Sequence, residues 1–142
     1  MKLLTVTVDR LERWHRPGLQ VIGDAAHAMS PIGGVGINLA VQDAVAAANV
    51  LAAPMARGED PDPLLNRIEA RRLLPTRMTQ ELQRAVQNGI IGPLLTRTEA
   101  LTDLPLPIRL FEHFPWLRRL PARVIGLGFR PEHIRSPEAQ AR

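Results

Sequence analysis

The stretch that decides the fold runs from Val21 to Asn38 and reads VIGDAAHAMSPIGGVGIN. It begins inside a short apolar run, Leu19 to Ile22, which is consistent with a buried strand and ends at Gly23 and Asp24. A loop rich in small residues, proline and glycine follows, and from Gly36 onward the chain favours a helix. In open α/β sheets, ligands bind at the carboxyl ends of strands, which is where this order of elements places the acidic residue.

The order of strand, acid, Gly-rich loop and helix suits a cofactor-binding site. The Asp24 carboxylate can accept hydrogen bonds from ligand hydroxyls, although the same residue could instead cap a turn. Glycines let the backbone approach a flat ligand, and the first N–H groups of the following helix favour negative charge. The segment is not the usual dinucleotide fingerprint, because Leu39 stands where Gly or Ala is needed.

Patterns outside this stretch predict the remaining elements. Alternating β-branched residues indicate a strand over 3–8. The Ala-rich segment from Gly36 to about Ala53 predicts a buried helix with one polar edge. The polar edge of that helix consists of Asn38, Gln42 and Asn49, which could bind a specific group or only hydrogen-bond neighbouring backbone. A second helix is expected from Pro63, kinked at Pro75 and ended by Asn88-Gly89 and Gly92-Pro93, with one or two short amphipathic helices over 114–127.

These elements, together with the residues around them, resemble a known family. The Gly-Asp-Ala-Ala-His run from Gly23, then Pro31 and the Gly-rich loop that enters a helix at Asn38, is similar to the second FAD motif of the FAD-dependent aromatic hydroxylases, which include p-hydroxybenzoate hydroxylase. The resemblance implies an α+β or α/β fragment: one or two short strands followed by about four helices, the C-terminal portion of a flavin monooxygenase FAD-binding fold. It implies one domain over 1–130, with 131–142 as a loose tail.

The resemblance also implies the cofactor and its contacts. Asp24 would hydrogen-bond the ribityl chain of FAD, Pro31 would lie against the isoalloxazine ring, and backbone groups of the helix start would meet the pyrimidine edge, where a helix N-terminus stabilises negative charge. The full set of implied FAD-binding residues is Asp24, Pro31, Gly34, Gly36, Ile37 and Asn38. Since flavin performs the chemistry with NAD(P)H as co-substrate and O2 as oxidant on an aromatic substrate, no catalytic side chain is expected. His27 is expected to be structural, packing behind the loop.

Parts of the family pattern are absent from this sequence. It lacks the amino-terminal GxGxxG unit that holds the ADP half of FAD, and the middle motif that contacts NAD(P)H and the pyrophosphate. Family chains are considerably longer than 142 residues. We therefore expect a truncated reading frame that starts within the last strand of the substrate domain. Such a protein would be inactive or nearly so alone and would need an amino-terminal portion or a partner chain.

Composition excludes several other classes of function. The 142 residues contain no cysteine, which rules out disulfides, thiolate metal sites and a Cys nucleophile. The four histidines show no ligand spacing, so no metal is expected. A net charge of +4 with five aromatic residues argues against a nucleic-acid partner. The uncharged stretch over 25–42 contains too many polar residues and helix breakers for a transmembrane helix, so a soluble cytoplasmic protein is expected.

Alternatives from other classes stay open at this stage, and one of them is a basic nucleic-acid-binding protein. The chain could be a small helical binding module without catalysis, whose strand at Leu19–Ile22 and Ala-rich helix are covered by another protein. The basic cluster of Arg118, Arg119 and Arg123 beside Trp116 could contact a membrane surface or a partner, or form a solvated helix face.

Overall fold

The chain begins its described part with a small hairpin that lies against the second long helix. A computed structural model describes residues 7–92 and 113–137. Strands β1 (His15–Arg16) and β2 (Leu19–Gln20) pair antiparallel, with His15 opposite Gln20. The turn between them contains Gly18 at φ 71°, a value that favours glycine, and its N–H donates to both carboxylate oxygens of Asp62 at 2.8 and 3.0 Å.

The predicted strand over 19–22 is shorter than the apolar pattern suggested. Only its first two residues pair in the sheet, and Val21 instead donates its N–H to the Trp14 carbonyl at 2.8 Å. Of the strand predicted over 3–8, residues 3–6 lie outside the described residues, and Thr7 and Val8 are not in a strand. An isolated antiparallel bridge joins Arg10 to His27, so that residues 9–11 lie beside residues 26–28.

The first long helix, α1, spans Val35–Ala56. Two short 3-10 turns, Gly23–Ala25 and Ile32–Gly34, precede it. Leu39, Asp43 and Ala46 form its buried side. The helix predicted from Gly36 to about Ala53 is therefore confirmed, with three further residues at its C-terminal end. The prediction that it is buried is wrong, because one side of it is exposed, with Ile37, Val41 and Met55 76%, 56% and 58% accessible.

The second long helix, α2, spans Leu65–Val86 after a 3-10 turn at Asp62–Leu64. Pro75 lies inside it and is buried. The expected stop at Asn88-Gly89 is wrong, because the helical path continues as a π-helical turn over Gln87–Ile91. Proline is a stronger helix breaker than an Asn-Gly pair, and after Pro75 the next proline is Pro93.

The third helix, α3, spans Arg119–Leu127 and follows a 3-10 turn at Pro115–Arg118. These two elements match the short helices predicted over 114–127. Within the described residues the molecule is thus a small α+β fragment, a two-stranded antiparallel sheet followed by three helices.

The residues after 130 are not loose where the structure describes them. The Glu132 side chain is 2% exposed and pairs with Arg71 of α2 at 2.6 Å. The Asn49 side chain of α1 donates to the His133 carbonyl at 2.8 Å and accepts from the Arg135 N–H at 2.6 Å. Side chains on two helices therefore hold this segment. Its sequence has no periodic apolar pattern, so these contacts could not be predicted from it. The domain boundary at residue 130 stays a prediction.

The core between the helices is polar to an unusual degree. Its apolar members are Trp14, Ala26, Leu39, Ala46, Leu65 and Ile68. Among the described residues, eight polar or charged ones are also buried, including Asp43, Arg72 and Gln80, each 0% exposed. Buried polar groups are stable only when they are hydrogen-bonded, so this core depends on specific pairing as well as on apolar burial.

One helix in the described part of the chain is long and apolar enough to cross a membrane by length and composition. It comprises the second 3-10 turn and α1, Ile32–Ala56, and its most apolar 18 residues have a mean hydropathy of 1.4 and are 17% buried. A single such helix is weak evidence, because the mostly buried core helix of a soluble protein passes the same test. In this structure the helix carries the buried Asp43 carboxylate, which is ion-paired with α2.

Candidate functional site

The six predicted FAD-binding residues all lie at or near the surface. Five of them, Asp24, Pro31, Gly34, Ile37 and Asn38, are exposed, and Gly36 is half-buried. Ile37 is an apolar side chain with 76% of its surface exposed, although it lies in the first turn of a long helix. Exposure of this kind leaves these groups accessible to a ligand or to another polypeptide.

Asp24 lies on the first 3-10 turn and lines a polar cavity of about 190 Å³. The other side of this cavity is formed by Asp9, Arg10 and Leu11. Among the described residues no side-chain hydrogen bond caps this turn, and none is made by the Asp24 carboxylate. The capping alternative for Asp24 is therefore not observed, and the carboxylate is free to accept hydrogen bonds from outside these residues.

The turn that carries Asp24 is fixed against α1 by close packing. Gly23 has φ 58°, and a Cβ at this position would be 3.0 Å from the Ala40 Cβ. Both the backbone conformation and the available space therefore require glycine here. The consequence is that the acidic residue follows a rigid point of the chain.

The Gly-rich loop leads directly into the N-terminus of α1. Gly33 and Gly34 have φ values of 77° and 61°, and a Cβ on Gly34 would meet nothing within 4 Å. No side-chain hydrogen bond caps α1 at Gly34. The uncapped helix start is consequently open on its outer side, and its positive dipole end favours an anionic or electron-rich group.

A larger cavity, of about 490 Å³, opens beside the loop. Ser30, Pro31 and Ile32 form one wall, and Val8 and Ile91 lie on other walls. This volume is within the range of ligand pockets in proteins. The structure thus places Pro31 on a ring-sized space and Asp24 on a separate polar one, while Gly34, Gly36, Ile37 and Asn38 lie in one continuous segment.

A fully buried network of hydrogen bonds lies behind these cavities. The Asp43 carboxylate accepts from the Gly23 N–H at 3.1 Å, lies 2.6 Å from His27 Nε2, and accepts from Arg72 Nε at 2.8 Å. Since a carboxylate can only accept, the imidazole donates from Nε2. The Trp14 ring packs against the imidazole with centroids 5.1 Å apart. The network ties the Asp24 turn to both long helices.

The charges of this network set the ionisation of its acid. Burial raises the pKa of Asp43, but the hydrogen bonds from His27 and Arg72 outweigh that effect, so the pKa lies below its usual value. The Arg72 guanidinium also lies 3.6 Å from Glu132 and donates to the Arg130 carbonyl at 3.1 Å. Two carboxylates therefore neighbour the same buried cation. His27 is 1% exposed, which agrees with its predicted structural position behind the loop.

Two buried glutamines of α2 contact the loop segments, and the sequence analysis did not identify them. Gln80 donates to the carbonyls of Asp9 and Ala28 at 2.8 and 3.2 Å and accepts from Arg10 Nη1 at 2.6 Å. Gln83 hydrogen-bonds the backbone of Ser30 and Ile32. A spacing of three residues on a helix places both side chains on one face, which was the one available signal.

The polar edge of α1 serves the C-terminal segment. Asn38 donates to the Ile125 carbonyl at 3.4 Å and Gln42 donates to the Leu127 carbonyl at 3.0 Å. The third member of the edge, Asn49, contacts the segment after residue 130, as described above. Neighbouring backbone is therefore the observed partner of all three amides.

Within the described residues, no group of three or more His, Asp or Glu side chains could hold a metal ion. His15 Nδ1 lies 2.9 Å from Glu69, whose carboxylate also accepts from the Trp14 N–H. That histidine therefore belongs to the packing of the hairpin on α2.

Comparison with known proteins gives a consistent family. A family model described as an FAD binding domain matches residues 1–82, more than half of the chain. A 6-methylpretetramide 4-monooxygenase from Streptomyces rimosus is 45% identical over 83 residues, which cover 58% of this chain and 20% of the relative. A kynurenine 3-monooxygenase from Stenotrophomonas maltophilia is 57% identical over 42 residues, 29% of this chain and 9% of the relative. The chain thus spans a fifth or less of the length of these relatives.

Proposed function

Because the chain belongs to the FAD-binding domain family of flavin monooxygenases, we propose that it supplies the part of an FAD-dependent aromatic hydroxylase that holds the ribityl chain and ring of the cofactor. One observation carries the proposal. The family match covers the segment in which Asp24, Pro31 and the start of α1 are exposed, while the side chains directly behind them are completely buried. A rigid support under exposed polar groups is the usual construction of a binding site.

The chemistry of the exposed groups suits FAD. The Asp24 carboxylate, on its polar cavity, can accept hydrogen bonds from ribityl hydroxyls. Pro31 and Ile32 offer an apolar wall to a ring, and the open start of α1 would stabilise negative charge on the pyrimidine edge. When bound, FAD supplies the redox chemistry of NAD(P)H- and O2-dependent hydroxylation of an aromatic substrate. The chain's own contribution is to bind and orient the cofactor and to tune its charge.

The proposed enzyme needs more protein than the described residues provide. Ile37, Val41 and Met55 lie on the exposed side of α1, with 76%, 56% and 58% of their surfaces accessible. Apolar side chains this exposed on a helix are typical of a face covered by other protein. We propose that an amino-terminal portion of the family, in the same or another chain, covers this face and holds the ADP half of FAD.

The proposal can be tested by complementation. The Streptomyces rimosus relative without its matching segment would be co-expressed with this chain, and the complex would be purified through a tag on the chain. We expect a complex that retains FAD, seen as flavin absorbance, and that oxidises NAD(P)H in the presence of aromatic substrate. The chain alone should retain little flavin.

Matched variants make this test specific. Asp24→Ala in this chain should lower FAD retention by about tenfold, because a charge-assisted hydrogen bond is lost, whereas Glu12→Gln, also at an exposed acidic residue, should leave it unchanged. A complex that forms but binds no FAD with the unaltered chain would contradict the proposal, as would equal FAD retention in both variants.

A second candidate function, a helical binding module without a cofactor, is favoured by the same exposed face of α1. The two candidates differ in whether a complex with a partner forms in the absence of FAD. A binding module predicts a stable complex with a partner that lacks FAD, detected by light scattering after size exclusion. If FAD is needed for the complex to form, the binding module is excluded.

A further inference from the structure

The loop from Ser30 to Gly34 has little backbone support of its own. Within the described residues its internal backbone bond runs from the Gly34 N–H to the Pro31 carbonyl, at 3.2 Å. Pro31 has no N–H to donate, and Gly33 has a positive φ. A segment with few backbone hydrogen bonds needs side chains to fix its position.

The Gln83 carboxamide provides that support with all of its principal hydrogen-bonding groups. Its oxygen accepts from the Ser30 N–H at 3.2 Å, and its nitrogen donates to the Ser30 carbonyl at 2.8 Å and to the Ile32 carbonyl at 3.0 Å. The side chain of Gln83 is buried, with 4% of the residue exposed. It therefore binds the backbone on both sides of Pro31 from one point on α2.

We propose that Gln83 is the positioning residue of the Ser30–Gly34 loop and thereby sets where Pro31 lies relative to the flavin ring. The inference rests on the proposed function for the identity of the ligand. It concerns a residue just beyond the segment that the family model matches, which ends at residue 82. Gln83 is not a catalytic residue, because it contacts the loop backbone and acts through Pro31.

The space around the loop explains why such a contact is needed. An apolar cavity of about 80 Å³ lies between the loop, α2 and α3, lined by Ile32 and Val35 on one side and by Leu82, Val86 and Ile125 on the others. Apart from Gln83 itself, the one polar side chain in these walls is Thr79, whose hydroxyl already donates to the Pro75 carbonyl at 2.8 Å. Without the carboxamide, the carbonyls of Ser30 and Ile32 would lose their donor and the loop could shift into this space.

Gln80 offers a matched control on the same helix. It is also buried, at 0% exposed, and also makes three hydrogen bonds, but to Asp9, Arg10 and Ala28. Gln83→Met and Gln80→Met each remove three hydrogen bonds while keeping a side chain of similar volume. A structural role alone predicts the same effects for both variants.

The experiment has two readouts. In the full chain without ligand, hydrogen exchange would be followed at the Ser30 and Gly34 amides. We expect about tenfold faster exchange at these amides in Gln83→Met. In Gln80→Met we expect less than about twofold change at the same amides, after correction for that variant's change in global stability. In the complemented complex, we expect the FAD dissociation constant to rise at least about fivefold in Gln83→Met and less than about twofold in Gln80→Met.

The readouts separate the inference from the proposed function. Equal loop exchange in the two variants would overturn the positioning role, whatever happens with FAD. Faster loop exchange with unchanged FAD affinity and an unchanged flavin spectrum would overturn the link to the ring. If the unaltered complex binds no FAD, the proposed function and the link to the ring both fail, and hydrogen exchange still decides whether Gln83 holds the loop.

If Gln83→Met does not fold, Gln83→Glu serves in its place. The carboxylate keeps the acceptor for the Ser30 N–H but cannot donate to either carbonyl. We expect exchange at Gly34 to accelerate while Ser30 stays protected. Equal protection of both amides in this variant would contradict the inference.

Discussion

Replacing Asp43 with asparagine should be among the most destabilising single substitutions in this chain. The carboxylate is 0% exposed and is the common acceptor of Gly23, His27 and Arg72. Asp43→Asn removes the charge while keeping the shape. The amide can still accept from Arg72, but its NH2 group then faces the Gly23 N–H, which loses its acceptor.

The structure sets the magnitude of this effect. Removing one partner of a buried ion pair costs about 3–5 kcal/mol, because the other charge stays buried without compensation. Here Glu132 lies 3.6 Å from the Arg72 guanidinium and compensates in part. We therefore expect the low end of that range, about 3 kcal/mol. With a urea m-value of about 2 kcal/mol/M, the unfolding midpoint should fall by about 1.5 M.

Tryptophan fluorescence can report the loss directly. Trp14 is fully buried against the His27 ring, whereas Trp116 is 62% exposed. In a Trp116→Phe background the signal therefore follows the core around the network. Glu59→Gln is a suitable control, since it removes an exposed ion pair with Arg57 and should leave the midpoint unchanged. A midpoint shift below about 0.5 M for Asp43→Asn would refute the reasoning, since it would correspond to only about 1 kcal/mol.

Three further predictions follow from the same geometry. The folded-state pKa of Asp43 is lowered from its ordinary value of 3.8. The ionised carboxylate therefore stabilises the fold above that value, and this stabilisation is lost as pH falls through the folded-state pKa. In urea titrations, the difference in unfolding free energy between Asp43→Asn and the unaltered chain should narrow below about pH 4. Gly23→Ala should lower stability in thermal unfolding by about 2–3 kcal/mol, because the left-handed backbone and overpacking both oppose a Cβ. Gly58 has φ 73° and no neighbour within 4 Å of a Cβ, so Gly58→Ala should show only the backbone cost of about 1–2 kcal/mol. Asn49→Ala removes the two hydrogen bonds that hold the segment 131–135 to α1. Limited trypsin digestion should therefore cleave this segment at least several times faster, and an unchanged cleavage rate would contradict the assigned contacts.

The helices could be predicted from sequence because they are local. The Ala-rich run into α1 and the proline near the start of α2 both indicate helices through short-range preferences. The stop at Asn88-Gly89 failed for the same reason, because local preference for a turn is weak against continued packing of a long helix. The apolar run at 19–22 predicted a strand that is longer than the observed one, since its second half pairs with no strand in the described residues.

The exposed part of the candidate site was also accessible from sequence, through the motif that resembles the aromatic hydroxylases. Its supporting part was not. Gln80 and Gln83 donate to backbone carbonyls more than 50 positions away in the chain, and contacts that distant leave no periodic signal. Similarly, the pairing of Glu132 with Arg71 and Arg72 depends on how residues 131–135 cross the helices, so that composition alone suggested a loose tail.

The polar core and the irregular loop are two consequences of one requirement. Residues 23–34 must present glycines, a proline and an acidic residue outward, so they cannot form a regular strand or helix that satisfies its own backbone. Their N–H and C=O groups are therefore satisfied from behind, by Asp43 on α1 and by Gln80 and Gln83 on α2. An apolar core of equal volume would keep the helices packed but leave these backbone groups without partners. The buried polar residues are thus expected wherever the chain must hold an irregular, exposed loop in one position.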